Sequence, residues 1–533
     1  MRYVFLSIIV LCFNIFGTLA QTMPLIPFPF DIKQGTGSFT LSSATKIVLK
    51  TDSSLVKKIC DFFLDLINPS TGMDIGYSSS SATPIIVELD SLIAHPEGYR
   101  LKVTSREITI QAQTPAGLFY AFQTLRQLLP PVIESRTMVV RTWTIPAIEI
   151  NDAPRFPYRG MMLDLVRHFF TVSEVKRFID LMSMHKYNYL HLHLTDDQGW
   201  RIEIPAFPKL QDISAWRSET IIGHLNDEPR QYDGVRYGGF YSQEEIKELI
   251  QYAEDRFITI VPGIEMPGHV TALLAAYPDL ACSGSSFEVA RDWDFFSNLL
   301  CPREDTFLFL ESMLTEIMNI FPGKYIHIGG RECPKEQWQK SEFCRNTKIQ
   351  NGLRTDEQLH TWFMSRIANF IQSNGRQVIG WDELLDGGDV SGATIMSWRG
   401  EQGGIDAAQK CYNVIMASHR FDYYQWNRRN EEPLAQGGYL PLSMVYMNEP
   451  MSKELTNDEK QYIIGIQGNI WTEYIAQVRQ FEYMAYPRAC ALAETAWTPI
   501  NKKSYPLFLN RLREHSKRLD MLNVNYAQHF LVR

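Results

Sequence analysis

From Tyr158 onward the sequence alternates short apolar runs with longer amphipathic ones eight times, and nothing else constrains the fold as strongly. The runs are 159–164, 187–194, 258–264, 325–328, 377–381, 394–398, 414–417 and 463–467. Being apolar without a two-residue alternation, they read as strands buried on both faces of a parallel sheet. Helical patterns lie between them at 171–185, 243–256, 305–320, 356–373 and 403–410, with a last one at 506–519. Eight such units in series imply an α/β protein with a closed (β/α)8 (TIM) barrel. The chemistry of such a barrel sits on the loops that follow the carboxyl ends of its strands.

Upstream, residues 21–150 read as a small α+β domain that precedes the catalytic domain 151–533. Strands are expected at 45–50, 84–89, 99–104 and 108–112, and helices at 54–67 and 114–129. Pro130-Pro131 closes this unit, and a strand pair around 138–143 is expected to lead out of it. The proline-rich stretch Asn151-Asp-Ala-Pro-Arg-Phe-Pro157 marks the boundary. No catalytic cluster falls in this region.

Residues 1–20 read as a signal peptide, with Arg2 at the start, an apolar core over 4–16 and Thr18-Leu19-Ala20 at the cleavage site. The mature chain is then expected to begin at Gln21 and to be exported to the periplasm, the cell surface or the medium. No later stretch has the length of a membrane span. The formal net charge of -8 argues against nucleic acid and against an anionic membrane surface as partners. Of eight cysteines, Cys12 lies in the leader. Export permits disulfides, and Cys282 with Cys301 and Cys333 with Cys344 each bracket a short loop. Cys60, Cys411 and Cys490 read as buried thiols. No CxxC or zinc spacing is present.

The strand ends carry charge and tryptophan almost without exception. In chain order they lead to Asp164 and Arg167; to His191, His193, Asp196, Asp197 and Trp200; to Glu265 and His269; and to Arg331 and Glu332. The last four lead to Trp381, Asp382 and Glu383; to Trp398; to His419, Arg420 and Asp422; and to Trp471 and Glu473. The fourth end, Lys324-Tyr-Ile-His-Ile-Gly-Gly-Arg-Glu-Cys333, puts two glycines before Glu332, so that the chain can turn sharply there. Carboxylates accept sugar hydroxyls and indole faces stack on pyranose rings, so the expected partner is a neutral glycan. His191, His193 and Asp196 allow a metal-dependent hydrolase on spacing alone. No third ligand pattern supports it, and the residues read as hydrogen-bonded barrel groups with no metal or cofactor.

Asp164-Leu-Val-Arg-His-Phe169, His191-Leu-His-Leu-Thr-Asp-Asp-Gln-Gly-Trp-Arg201, Glu265-Met-Pro-Gly-His269, His327-Ile-Gly-Gly-Arg-Glu332 and Gln467-Gly-Asn-Ile-Trp-Thr-Glu473 resemble the motifs of glycoside hydrolase family 20, the β-N-acetylhexosaminidases. The resemblance runs from about Thr22 to the C-terminus, and the small leading domain also matches that family's layout. It implies roles. Glu332 falls at the general acid/base, with Arg331 beside it and Asp196 and His269 as a supporting relay. Arg167, His193, Glu265, Arg420, Asp422 and Glu473 fall among the groups that hold the sugar. Trp362, Trp381 and Trp471 fall at its aromatic wall. The implied mechanism is substrate-assisted: the 2-acetamido oxygen attacks the anomeric carbon.

The sequence departs from the resembled pattern in three places. Arg331 stands where the family has an aspartate that accepts the acetamide N–H. Arginine has no acceptor and stays positive. Arg420 stands where a tyrosine is usual, and Gly263 where a glutamate often precedes Ile-Glu-Met-Pro-Gly-His. The expectation is a secreted exo-β-glycosidase for terminal β-linked N-acetylhexosamine or a 2-modified analogue. The alternatives are a carbohydrate-binding pseudoenzyme and a glycosidase for a sugar with an anionic 2-substituent.

Overall fold

The computed structural model describes residues 23–284, 286–418, 434, 435 and 439–531. Residues 1–20, read above as a signal peptide, and His419, Arg420 and Asp422 of the seventh strand end lie outside the described residues. The chain divides into two compact units. One takes the chain as far as Pro157, then Ser183–Lys186, then everything from Tyr486. The other takes Tyr158–Met182 and Tyr187–Ala485.

The first unit holds a six-stranded mixed sheet. Its strands are β1 (Asp31–Thr40), β2 (Thr45–Leu49), β3 (Thr83–Leu89), β4 (Tyr99–Val103), β5 (Ile108–Ala112) and β6 (Thr144–Asp152), in the order β1-β6-β4-β5-β3-β2. Helices α1 (Ser54–Thr71) and α2 (Pro115–Leu128) pack together and α2 lies on the sheet. β1 escapes a reading by pattern. Its sequence DIKQGTGSFT is mostly exposed and breaks register between Gln34 and Ser38, so it shows no period-two signal. The strand pair expected at 138–143 is absent. The strand is β6 instead, and it runs through the expected boundary to Asp152.

The second unit is the barrel. Its strands are β7 (Tyr158–Asp164), β8 (Tyr189–His193), β9 (Thr259–Met266), β10 (Tyr325–Gly329), β11 (Gln377–Trp381), β12 (Thr394–Ser397), β13 (Val414–Met416) and β14 (Ile463–Ile470). All eight pair in parallel and the sheet closes, β8 to β9 and β14 to β7. Each expected strand is present to within a few residues at its ends. The helices between them include α3 (Val172–Met184), α4 (Gln243–Glu254), α5 (Glu304–Ile320), α6 (Asp356–Ser373) and α7 (Gln402–Gln409). Ser242 and Glu245 close a capping box at the start of α4, which fixes where that helix begins.

The barrel interior is filled by His191, His327 and Gln467, all fully buried. The His191 and His327 rings stack with centroids 4.4 Å apart. Gly263 faces this stack. A Cβ there would come within 2.3 Å of His191 Nε2, so the ring occupies the space that the glutamate of the resembled pattern would need.

After the barrel the chain forms α8 (Arg488–Trp497) and α9 (Tyr505–Met521). α9 covers the helix expected at 506–519 as the barrel's last. It groups instead with the first unit, where it packs on the 3-10 turn Pro131–Glu134.

Cys282 and Cys301 form a disulfide, as the sequence suggested. Cys333 and Cys344 do not pair. Cys333 Sγ turns back toward the Arg331 carbonyl, 3.3 Å away, because the chain has just reversed through Gly329 and Gly330. Cys344, on the helix Glu342–Gln350, instead places its Sγ 3.3 Å from Cys282 Sγ. Cys60 and Cys490 are buried, but Cys411 is exposed.

Candidate active site

Glu332 stands at the carboxyl end of β10. Gly329 (φ 67°) and Gly330 (φ 95°) turn the strand, and Glu332 itself has φ 47°. At Gly329 a Cβ would come within 2.0 Å of Glu265 Oε2, so glycine is required there twice over. A non-glycine residue held at positive φ is a strained conformation of the kind found where a side chain must be aimed. Glu332 is 22% exposed, the most open carboxylate among those that converge here.

Behind Glu332 lies a relay. His269 Nε2 is 3.3 Å from Glu332 Oε2, and its Nδ1 lies 3.0 Å from Asp196 Oδ1 and 3.1 Å from Asp197 Oδ2. His269 also sits at positive φ (55°), after Gly268. Burial and, less, Arg331 oppose its charge, but the Asp196 charge and the hydrogen bonds to Asp196 and Asp197 together raise the imidazole well above its ordinary value. Asp196 is fully buried and receives Arg167 at 3.0 Å, His193 Nε2 at 2.8 Å and Arg331 at 3.2 Å. Burial would raise its pKa, yet Arg167 and His269 hold it well below the carboxylate range.

Arg331 points into this cluster. Its side chain is 7% exposed, one terminal nitrogen is 3.1 Å from Glu332 Oε2 and the other 3.2 Å from Asp196 Oδ2. Its Nε is 3.9 Å from Glu265 Oε1, and Cζ sits 4.1 Å from the centroid of the Trp471 ring. The consequence falls on Glu332. Burial would raise that carboxyl, but Arg331 first and His269 second bring it down to about 2. The group in the place of the acid is therefore a carboxylate across the ordinary pH range.

On the other side of the mouth, Arg167 is oriented by Gln198 (2.9 Å) and Asp164 (3.3 Å), with Glu473 at 3.9 Å. Burial raises Glu473 to about 7, with Arg167 opposing. Its Oε2 and Glu265 Oε2 are buried without a hydrogen-bond partner, as acceptors awaiting a hydroxyl would be. The aromatic wall is Trp381, Trp398 and Trp471. Trp381 lies 6.1 Å from Trp471 and 6.5 Å from Trp398, and its Nε1 donates to Glu265 Oε1. Trp362 is not part of it. That ring projects from the outer helix α6 and packs edge-on against Phe307 of α5. Its place is taken by Trp398, whose signal was its position at a strand end.

A parallel barrel whose carboxyl mouth gathers acids, two arginines and neighbouring indoles defines a carbohydrate-active (β/α)8 enzyme scaffold. The profile of glycosyl hydrolase family 20, catalytic domain, matches residues 156–500, and that of glycosyl hydrolase family 20, domain 2, matches residues 22–153. The chain belongs to glycosyl hydrolase family 20. It is 40% identical over 511 residues to a β-hexosaminidase of Porphyromonas gingivalis, a match that covers 94% of this chain and 64% of that protein. A β-hexosaminidase of Vibrio furnissii is 34% identical, with 90% and 77% covered. The crystal structure of an exo-β-N-acetylglucosaminidase from Vibrio harveyi in complex with N-acetylglucosamine superposes with a TM-score of 0.83 at 33% identity, covering 95% of this chain and 78% of that one.

Proposed function

We propose that this chain is an exported exo-acting β-glycosidase that removes terminal β-linked N-acetylhexosamine from glycans. Glu332 serves as general acid and base and the substrate's own acetamido oxygen as nucleophile. The observation that carries the reading is the line Glu332–His269–Asp196 at the mouth of a barrel walled by Trp381, Trp398 and Trp471. In this reading Glu332 protonates the glycosidic oxygen, Arg167, Glu265 and Glu473 hold hydroxyls, and the indoles enclose the apolar face of the ring. The exo-β-N-acetylglucosaminidase of Vibrio harveyi, crystallised with N-acetylglucosamine, supports a sugar of this class.

Arg331 makes this reading specific to the chain. An acetamide brings an N–H donor, and Arg331 presents donors as well. A buried unpaired donor costs ~1–3 kcal/mol. The cyclic intermediate is cationic and would form beside a guanidinium. A missing electrostatic partner costs roughly 10²–10³-fold in rate. The chain as it stands is therefore a slow hexosaminidase. Asp196 and Glu332 already take up the terminal nitrogens of Arg331, so an anionic 2-substituent would have to displace a carboxylate. That favours slow turnover of the plain acetamide over a charged analogue. The second reading, a pocket that binds sugar without cutting it, is favoured by the contacts from Arg331 and His269 that hold Glu332 as a carboxylate.

The test is kcat/KM on an aryl β-N-acetylglucosaminide. Arg331→Asp should raise it by roughly tenfold or more, and Glu332→Gln in that background should remove the gain. A fast original chain with an Asp variant no better would overturn this account of Arg331. No turnover by either would favour the binding pocket.

A further inference from the structure

A second cluster of titratable groups lies in the first compact unit, and the glycosidase chemistry makes no use of it. His185, Cys490 on α8 and His515 on α9 are each 0–1% exposed. His185 Nε2 is 3.0 Å from His515 Nε2 and 3.4 Å from Cys490 Sγ. All three donor atoms lie within 4.8 Å of one another. Around a three-coordinate ion, imidazole at ~2.0 Å and thiolate at ~2.3 Å set N···N edges of roughly 3.5 Å and N···S edges of roughly 3.7 Å. The observed contacts are a few tenths of an ångström tighter, within the reach of small ring movements.

We propose that His185, Cys490 and His515 form a closed three-ligand site for a soft d10 cation, copper(I) in preference to zinc. Three features select it. The thiolate is a soft donor, and imidazole suits copper as well as zinc. Among the described residues no fourth His, Cys, Asp or Glu joins the group, and zinc takes four ligands in structural sites. The charge balance is the third. Arg126 and Arg518 act on His515 and Glu494 on Cys490. Glu134 bonds both Arg126 and Arg518, and Glu494 pairs with Arg511, so arginines already stand around the cluster. Copper(I) on one thiolate adds no net charge to that surrounding, whereas zinc adds one. Binding displaces the Cys490 proton to solvent: the S–H bond breaks and an S–Cu bond forms, with no change of oxidation state.

Burial of all three ligands means that the ion enters as the unit folds. The experiment is therefore the full chain expressed in medium supplemented with copper or with zinc, purified under reducing conditions and assayed by mass spectrometry for metal. About one copper per chain is expected, with X-ray absorption showing nitrogen and sulfur neighbours, and loss of that copper in Cys490→Ser and in His515→Asn. The thermal midpoint of the original chain should fall when a copper(I) chelator is present during expression. Copper-free folded protein, equal copper in the variants, or a zinc ion in its place overturns the proposal. If a variant does not fold, sulfur among the copper neighbours of the original chain decides.

Discussion

Arg331 and Glu332 are adjacent in sequence and in contact in space, and their pairing sets the pH behaviour of the site. A general acid works through its protonated fraction, which falls tenfold for each pH unit above its pKa. With Glu332 held at about 2, kcat/KM on a β-N-acetylglucosaminide with an alkyl leaving group should fall about tenfold per unit from pH 4 to 7. Arg331→Asp removes the first cause of the depression and adds a like charge, so Glu332 rises and its profile should be flatter over that range. The stability linkage runs the opposite way with pH. A depressed carboxyl stabilises the fold above its unfolded value and loses that contribution as pH falls toward 2. The variant should accordingly be less acid-sensitive than the original between pH 4.5 and 2, which chemical denaturation at stepped pH would show. Parallel pH–rate profiles in the two proteins would mean that Arg331 does not control the acid.

At the scale of elements, the eight barrel strands were legible because each is buried on both faces and so reads as an apolar run. The acids and indoles at their ends were legible because a strand end gives each one a direction. Three features were not legible. β1 is an exposed edge without a period. Trp362 lies on a helix, where three-dimensional position does not follow from rank in the sequence. The Cys333–Cys344 pairing looked right on loop length, but a side chain's direction after a two-glycine turn depends on dihedrals that spacing does not carry. Mass mapping should find Cys282 linked to Cys301, with Cys333 and Cys344 as thiols. Burial pushes Cys333 up to about 12, so it should resist alkylation until the chain unfolds. A Cys333–Cys344 peptide would reverse the correction. Gly263 gives a test of the barrel interior. Its added methyl meets the His191 ring at 2.3 Å, and overpacking of that kind costs ~1–3 kcal/mol. Gly263→Ala should therefore lower Tm by several degrees, and an unchanged Tm would mean that the His191–His327 stack yields freely.

On the scale of the whole molecule, the first compact unit gathers stretches that lie far apart in the chain, and a buried ion pair is one of the points where they meet. Lys186 Nζ is 3.1 Å from Asp152 Oδ2 and 2.8 Å from the Tyr99 hydroxyl, and it lies 4.4 Å from the Trp497 ring centroid. Asp152 also accepts from Trp497 Nε1 at 2.9 Å and from the Phe30 amide at 2.9 Å. Four residues from four separated stretches, Phe30, Tyr99, Lys186 and Trp497, thus converge on one carboxylate with almost no exposure. No pattern in the sequence announces this, because each residue is unremarkable among its neighbours. Breaking such a pair by removing one partner costs ~3–5 kcal/mol, whereas replacing both is often nearly neutral. Lys186→Met should therefore be strongly destabilising, and adding Asp152→Asn to it should recover more than half of the loss. The measurement is a double-mutant cycle by denaturant unfolding, with intact barrel activity as the control for folding. A single variant within ~1 kcal/mol of the original, with no recovery in the double, would show that the Asp152 carboxylate is satisfied by Tyr99, Trp497 and Phe30 alone.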